Sequence, residues 1–290
     1  MGIFKRKSKE DKSIDQDKFF KSLRSMVDDV YNSGEYQERR RNMDRWLKEY
    51  NGKWWAEDIT YKRSPKDSLV FANLIFANVQ HNAPLLTDNR PTWYVRSRNS
   101  FGQPLVDIYS KCLEYLWDKE ELDHKSYLAV KDSMILSLGL IKPYFDPEKD
   151  DYGELCFDLV DPREFVCAPG YDDIWETPWC GEVKRLPMSW ILEKYPDKYD
   201  EVKPDTKDIT NSTEKWDETT QSDQWVTVYQ IWMKDDEIEE YIEEMEEEKV
   251  KKSQPKYPYG RIVTYTKLVK LDDRPYPFKH GKPPYIPFYG

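Results

Sequence analysis

The sequence predicts an α+β protein in which N-terminal helices pack on a mixed or antiparallel sheet. Two observations support this fold class. Apolar residues recur at the three-four spacing of helices through the first half of the chain, and from Gly139 onward they form extended runs separated by turn residues. With 290 residues, the chain is long enough to bury a substantial core. We therefore expect a helical part at 16–138 and a β-rich part at 139–290.

Two helices are predicted at the start of the helical part. An apolar stripe at helical spacing covers residues 19–31, and Ser33-Gly34 ends that helix. A second stripe covers residues 36–50, and the following Asn51-Gly52 suits a left-handed cap at the C-terminus of the helix.

A third helix is predicted from a cap at Asp67 or Ser68 to about residue 87, and its many apolar residues indicate burial on more than one side. After Asn89-Arg90, Pro91 disfavours helical geometry at the residue before it. Residues 93–95 then predict a strand, because aromatic and β-branched residues favour strands.

Two further helices are predicted at 103–121 and 122–138. The first carries an apolar face formed by Leu105, Ile108, Tyr109, Cys112, Leu113 and Leu116. We expect this face to lie against the other helices.

The β-rich part begins with a predicted hairpin at 140–145 and 155–160, around the turn sequence DPEKDDYG. Strands at 165–168 and 179–184 follow, and Pro187 can open a helix that runs to Tyr195.

The last part of the chain begins with a polar stretch at 203–224, which predicts a surface loop. Strands are predicted at 225–233 and 260–271. Between them, residues 235–248 predict an acidic helix with a narrow apolar stripe.

Composition and net charge limit the functions that this sequence can be expected to have. Asp and Glu total 55 against 45 Lys and Arg, which gives a net charge of −10, whereas nucleic-acid binders concentrate positive charge. The leader at 1–15 is the exception, because Lys5, Arg6 and Lys7 cluster there. Such a cluster is typical of a solvated, flexible tail, with a DNA-binding accessory protein as an alternative.

Neither a membrane segment nor an export signal is indicated. The sequence has no run of about 18 apolar residues, and charged residues follow the basic leader. The four cysteines are Cys112, Cys156, Cys167 and Cys180. Their irregular spacing fits neither a zinc site nor a disulfide framework, so we expect ordinary buried thiols in a cytoplasmic protein.

The motifs of common active sites are missing from the sequence. It contains no G-x-G-x-x-G, no G-x-x-x-x-G-K-[ST], no H-E-x-x-H and no G-x-S-x-G. We therefore predict no catalytic, cofactor-binding or metal-binding residues, and no enzyme. Abundant carboxylates and 11 Trp leave a carbohydrate-active hydrolase as an alternative.

The order of the predicted elements resembles the N-terminal, or wing, portion of a tailed-bacteriophage portal protein, the head-to-tail connector of the capsid. Three stretches carry the resemblance: the helix-to-strand junction at 78–97, the hairpin and following loop at 139–173, and the strand and helix at 183–202. The family-like structural positions are Asn89, Pro91, Gly139, Asp161 and Pro162.

The resemblance implies a structural function without cofactors. Copies of a portal protein form a cyclic ring at the DNA-entry vertex of the virion, and the full-length product is expected to form a dodecamer. Through that ring double-stranded DNA passes during packaging and ejection. The implied partners are the terminase large subunit, the major capsid and scaffolding proteins and a tail adaptor, with assembly in the host cytoplasm and no membrane.

On this resemblance we expect the sequence to stop before the family's stem, clip and crown, as the N-terminal portion of a longer product or as a truncated copy. GKPPYIPFYG at its end resembles the approach to the first stem helix. Because the stem and crown supply most of the ring contacts in that family, we expect residues 1–290 alone to be folded and predominantly monomeric. The helices should still fold, because the apolar stripes at 19–31, 69–86 and 105–116 can bury against one another and against the strands at 140–160.

Overall fold

The computed structural model confirms the α+β class, with helices packed against antiparallel sheets of three and five strands. It describes residues 9–53, 72–97, 100–149, 151–205, 224–235, 238–245 and 248–290. The chain divides into two compact units. One, which we call the helical unit, contains residues 34–163 and 284–290, and the other, the sheet unit, contains residues 1–33 and 164–283.

The elements are as follows. The α-helices are α1 (Lys9–Tyr31), α2 (Gly34–Tyr50), α3 (Leu74–Thr87), α4 (Val106–Lys119), α5 (Leu122–Leu136) and α6 (Met188–Lys194). The strands are β1 (Leu138–Asp146), β2 (Glu154–Val160), β3 (Phe165–Cys167), β4 (Trp179–Pro187), β5 (Trp225–Met233), β6 (Ile238–Met245), β7 (Glu248–Pro255), β8 (Arg261–Thr266), β9 (Lys270–Pro275) and β10 (Ile286–Tyr289). Short 3-10 helices span Ser100–Leu105, Ile174–Glu176 and Pro196–Glu201.

The helical unit contains the predicted hairpin. Strands β1 and β2 pair antiparallel, β10 pairs with the other edge of β1, and Gly153 has a positive φ in the turn. Gly139 lies where β1 crosses α5, and a Cβ atom there would lie 1.9 Å from the carbonyl oxygen of Ala129. A side chain at this position would therefore push the strand away from the helix, so the glycine permits the packing.

The core of the helical unit joins α2, α3 and α5. Its buried members include Met43, Tyr50, Val79, Ile135 and Leu136. The cap predicted after α2 is confirmed, because Gly52 has φ +72°.

The sheet unit is built on five antiparallel strands in the order β3-β4-β5-β8-β9. Helix α1 contributes its apolar stripe to this unit, since the ring of Phe20 packs edge-on against Tyr265 at 5.4 Å. Helix α1 begins at Lys9, earlier than the predicted boundary at residue 16. Helix α6 follows Pro187 as predicted, and its Met188 and Ile191 are buried in a core with strand β5.

The predicted acidic helix at 235–248 is wrong, because residues 238–245 form strand β6 and pair with β7. The register places one acidic position, Glu244, opposite one basic position, Lys249. Opposite charges across a strand pair are favourable, whereas a helix would bring carboxylates together at four-residue spacing.

The single strand predicted at 260–271 is also wrong. The chain turns after Thr266, whose backbone N–H donates to the carbonyl oxygen of Val269 at 2.8 Å, and returns as β9. Strand β5 agrees with the prediction at 225–233. Most of the predicted surface loop, residues 206–223, lies outside the described residues.

Candidate interaction surface

Exposed apolar side chains are concentrated in one stretch of the helical unit. Among the described residues of α3, the loop after it and α4, the exposed large hydrophobic side chains are Leu74, Ile75, Phe76, Leu85, Leu86, Trp93, Tyr94, Leu105, Ile108, Tyr109, Leu113 and Tyr115. We call this set the α3–α4 face. Several of these side chains are more than half exposed, among them Leu74, Tyr94 and Tyr109. Exposed apolar side chains that form a patch mark interaction sites.

Only a narrow face of helix α3 is buried. Val79 and Ala83, one turn apart, are its buried residues, whereas Leu74 and Leu86 are 75% and 68% exposed. The predicted burial on more than one side is therefore wrong. Apolar residues all round a helix indicate that something covers it, but the described elements of this unit cover one side of α3.

Asn73 is the N-cap of α3, and the predicted cap at Asp67 or Ser68 lies outside the described residues. The side-chain oxygen of Asn73 accepts a hydrogen bond from the backbone N–H of Phe76 at 2.9 Å. Its amide group donates to the carbonyl oxygen of Tyr50 at 2.7 Å. Asn73 thus caps the start of α3 and binds the end of α2.

The junction after α3 contains the family-like residues Asn89 and Pro91, and both are exposed. The strand predicted at 93–95 is wrong, because residues 91–97 pair with no strand in the described part of the chain. Side-chain contacts hold this segment instead. Trp93 packs on Trp117 at 5.7 Å between ring centroids, and the Arg90 guanidinium lies 2.7 Å from the Asp118 carboxylate.

Helix α4 has the predicted apolar stripe, but none of its described side chains is buried. Ile108 and Tyr109 are 56% and 57% exposed, and Cys112, predicted to be a buried thiol, is exposed. The mistake has a simple cause: periodicity shows that apolar residues share one side of a helix, but not which surface covers that side. The predicted mutual burial of stripes 69–86 and 105–116 is therefore wrong for the described residues.

The remaining family-like positions lie away from this junction, in β1 and in the loop after β2. Asp161 accepts hydrogen bonds from the Arg163 backbone N–H at 2.9 Å and from its guanidinium at 2.6 Å. The carbonyl oxygen of the buried Pro162 accepts from Arg39 at 3.2 Å. These contacts hold the loop to α2, so Gly139, Asp161 and Pro162 have local structural roles and do not form one site with Asn89.

Two carboxyl groups near this loop have shifted pKa values. Burial opposes the charge of Asp161, but hydrogen bonds from Arg163 outweigh burial and hold the pKa of Asp161 below its ordinary value. For Asp132 on α5, burial and the negative charge of Asp161 raise the pKa to about 6. Asp132 therefore disfavours the folded state when it is ionised.

A second candidate site is a charged cleft of about 250 Å³ where the α4–α5 junction meets β1 and β2. Glu120 is buried there, and its carboxylate accepts hydrogen bonds from Lys125 at 2.9 Å and from the Phe157 backbone N–H at 3.1 Å. The Lys149 ammonium lies 3.2 Å from both Glu120 and Cys156. No sequence motif pointed to this cluster, because its members come from separate elements at irregular spacing.

The contacts within the cleft neutralise its carboxylates. Burial alone would raise the pKa of Glu120, but hydrogen bonds from Lys125, Phe157 and Lys149 hold it below its ordinary value. A glycosidase acid needs the opposite shift. Donor atoms of Glu120, Glu154 and Cys156 lie within 4.8 Å of one another, as in a metal site, but Lys149 contacts all three residues. This cluster is best described as an ion-pair network that joins helix and hairpin.

No known family model matches the sequence, and no curated protein matches it either. Within the described residues, no helix is both long enough and apolar enough to cross a membrane.

Proposed function

We propose that this chain is the wing portion of a portal-type ring subunit with an architectural, non-enzymatic role. The order of elements supports this proposal. Helices come first, the Gly139 hairpin follows, and strand β4 leads through Pro187 into α6, in the order that the resemblance implies.

The observation that carries the proposal is the α3–α4 face. Covering these exposed apolar side chains with a partner would be favourable, because burial of apolar area contributes roughly 25 cal/mol for every Å² removed from water. In a ring, each copy presents one surface to a different surface of the next copy. We assign the α3–α4 face to this contact between copies.

This assignment changes the expected assembly. A predominantly monomeric chain was predicted because the stem and crown supply most of the ring contacts in the portal family. That prediction did not include the apolar side chains at 69–86 and 105–116 that are exposed among the described residues. We now propose that copies of residues 1–290 associate through the α3–α4 face. The terminase large subunit, the capsid and scaffolding proteins, the tail adaptor and the passing double-stranded DNA belong to the same proposal as partners of the assembled ring at the capsid vertex.

Electron microscopy of the purified chain tests this function. We expect closed rings with a central opening, and class averages with a single rotational symmetry axis. A population of two-fold dimers would contradict the proposal, because an isologous pair leaves no surface for a third copy. Release of reducing sugar from a polysaccharide panel would favour the hydrolase alternative instead.

A further inference from the structure

Two of the four cysteines lie directly opposite each other in the sheet unit. Cys167 is the last residue of β3, Cys180 is the second residue of β4, and the strand register pairs them. Both are thiols, Cys180 is fully buried, and Cys167 is partly exposed.

The neighbouring hydrogen bonds show whether the two cysteines form a hydrogen-bonded or a non-hydrogen-bonded pair of the antiparallel ladder. The Ala168 N–H donates to the Trp179 carbonyl at 3.1 Å, and the Val183 N–H donates to the Glu164 carbonyl at 2.8 Å. Hydrogen-bonded pairs alternate with non-hydrogen-bonded pairs along an antiparallel ladder. With the register that is present, Cys167 and Cys180 therefore form a non-hydrogen-bonded pair.

Non-hydrogen-bonded pairs hold their side chains closer together than hydrogen-bonded pairs do. Their Cα atoms are typically about 4.5 Å apart, which lies within the range of about 4.4–6.8 Å found for disulfides. The two thiols can therefore reach each other without a change in strand register.

We propose that Cys167 and Cys180 are a modification site at which a low-molecular-weight disulfide, such as oxidised glutathione, produces an intramolecular disulfide bond. The Cys167 thiolate, which solvent reaches, attacks one sulfur of the oxidant and releases one glutathione thiolate. The Cys180 thiolate then attacks the Cys167 sulfur and releases the second glutathione thiolate, and the protons of the two cysteine thiols end on the two released glutathiones. The two protein thiols lose two electrons, and one molecule of oxidised glutathione becomes two of reduced glutathione.

The bond would fix one edge strand of the sheet. Strand β3 is three residues long and is the first strand in the order β3-β4-β5-β8-β9, so it pairs on one side only. A covalent link to β4 would close the loop between residues 167 and 180 and oppose fraying of that edge. This inference is independent of the proposed ring.

Peptide mapping of the full chain tests the proposal, because the sequence has no Lys or Arg between residues 164 and 183. One tryptic peptide, 164–184, therefore carries both cysteines. After treatment with oxidised glutathione and alkylation, this peptide should be lighter than its reduced form by two hydrogen atoms and should carry no alkyl group. Amide hydrogen exchange at Ala168 should slow by about tenfold or more in the oxidised protein.

Two variants test which thiols take part in the reaction. The Cys112→Ser/Cys156→Ser protein removes the other thiols and should still lose both reactive groups from peptide 164–184. In Cys180→Ser, Cys167 should instead carry a stable mixed disulfide with glutathione. Peptide 164–184 that keeps two alkylatable thiols, or that carries two glutathione groups in the wild-type chain, would overturn the proposal.

Discussion

Glu120 is a buried carboxylate whose charge depends on donors from two other parts of the helical unit. Glu120→Ala leaves the Phe157 N–H without its acceptor and removes both lysine contacts. We expect the free energy of unfolding at neutral pH to fall by about 1–2 kcal/mol, as measured by urea denaturation. Glu121→Ala, at the adjacent exposed position, is the control, and an equal loss in both variants would contradict a special role for Glu120.

The pH dependence of the free energy of unfolding tests the role of Glu120 in a second way. The folded-state pKa of Glu120 is lowered by its hydrogen-bond partners. Its contribution is therefore present at neutral pH and is lost as the pH falls from the ordinary glutamate value through the lowered one. The difference between wild type and Glu120→Ala should shrink over that acidic window.

Asp132 gives a prediction of opposite sign, because its folded-state pKa is raised to about 6. A carboxyl group of this kind costs no stability while it is protonated, and its ionisation penalises the folded state as the pH rises from about 4 to above 6. Asp132→Asn should therefore stabilise the protein at pH 8 by about 1–2 kcal/mol, after allowance for solvent screening, and change little at pH 3.5.

A variant with the opposite expected sign is Asp161→Asn, which also removes the negative charge that helps to raise the pKa of Asp132. This variant removes a carboxylate whose pKa is lowered by Arg163, so it should destabilise the protein at neutral pH. An Asp132→Asn effect that is the same at both pH values would show that burial of the charge is not its cause.

At the scale of elements, helix α5 ends at a serine in the left-handed backbone conformation, which is unfavourable for a residue with a Cβ atom. Ser137, at the C-cap, has φ +65°, where glycine is favoured over residues with a Cβ atom. Ser137→Gly should raise the free energy of unfolding by about 1 kcal/mol. Ser25→Gly, at an exposed position inside α1, should lower it by about 0.5 kcal/mol. If Ser137→Gly destabilises the chain as Ser25→Gly does, the left-handed cap is absent.

Elements bounded by strong local signals could be predicted from the sequence. The β1–β2 hairpin has a Pro, Asp and Gly turn between apolar runs, and α2 ends at Asn51-Gly52. Strand β6 could not be predicted, because its stability involves pairing with β7 and because Ile238, Tyr241 and Ile242 also fit a helical stripe.

The candidate surface was predicted in part. The apolar residues of α4 were recognised from their spacing, but they were assigned to a core because periodicity carries no information about the covering surface. The pairing of Cys167 with Cys180 also could not be predicted, since it depends on the register set by the loop between β3 and β4.

At the scale of the whole molecule, the α3–α4 face and the charge of −10 have opposing effects on association. Apolar contact favours association of copies, whereas like net charge opposes it with a strength that falls as salt is added. We therefore expect association between copies to strengthen with ionic strength. That direction is opposite to the weakening by salt that is typical of duplex DNA binding by a basic leader.

Sedimentation velocity of residues 1–290 tests the central claim most directly. At roughly 10 µM and moderate salt, the wild-type chain should sediment as a species much larger than a monomer. Tyr109→Glu places a charge in the α3–α4 face and should weaken association by about tenfold or more. Tyr152→Glu changes the same residue type at a position that is 95% exposed in the β1–β2 turn, and should sediment like the wild type. A wild-type chain that stays monomeric across this range, or a Tyr109→Glu variant that associates as the wild type does, would contradict the claim that this face joins copies of the chain.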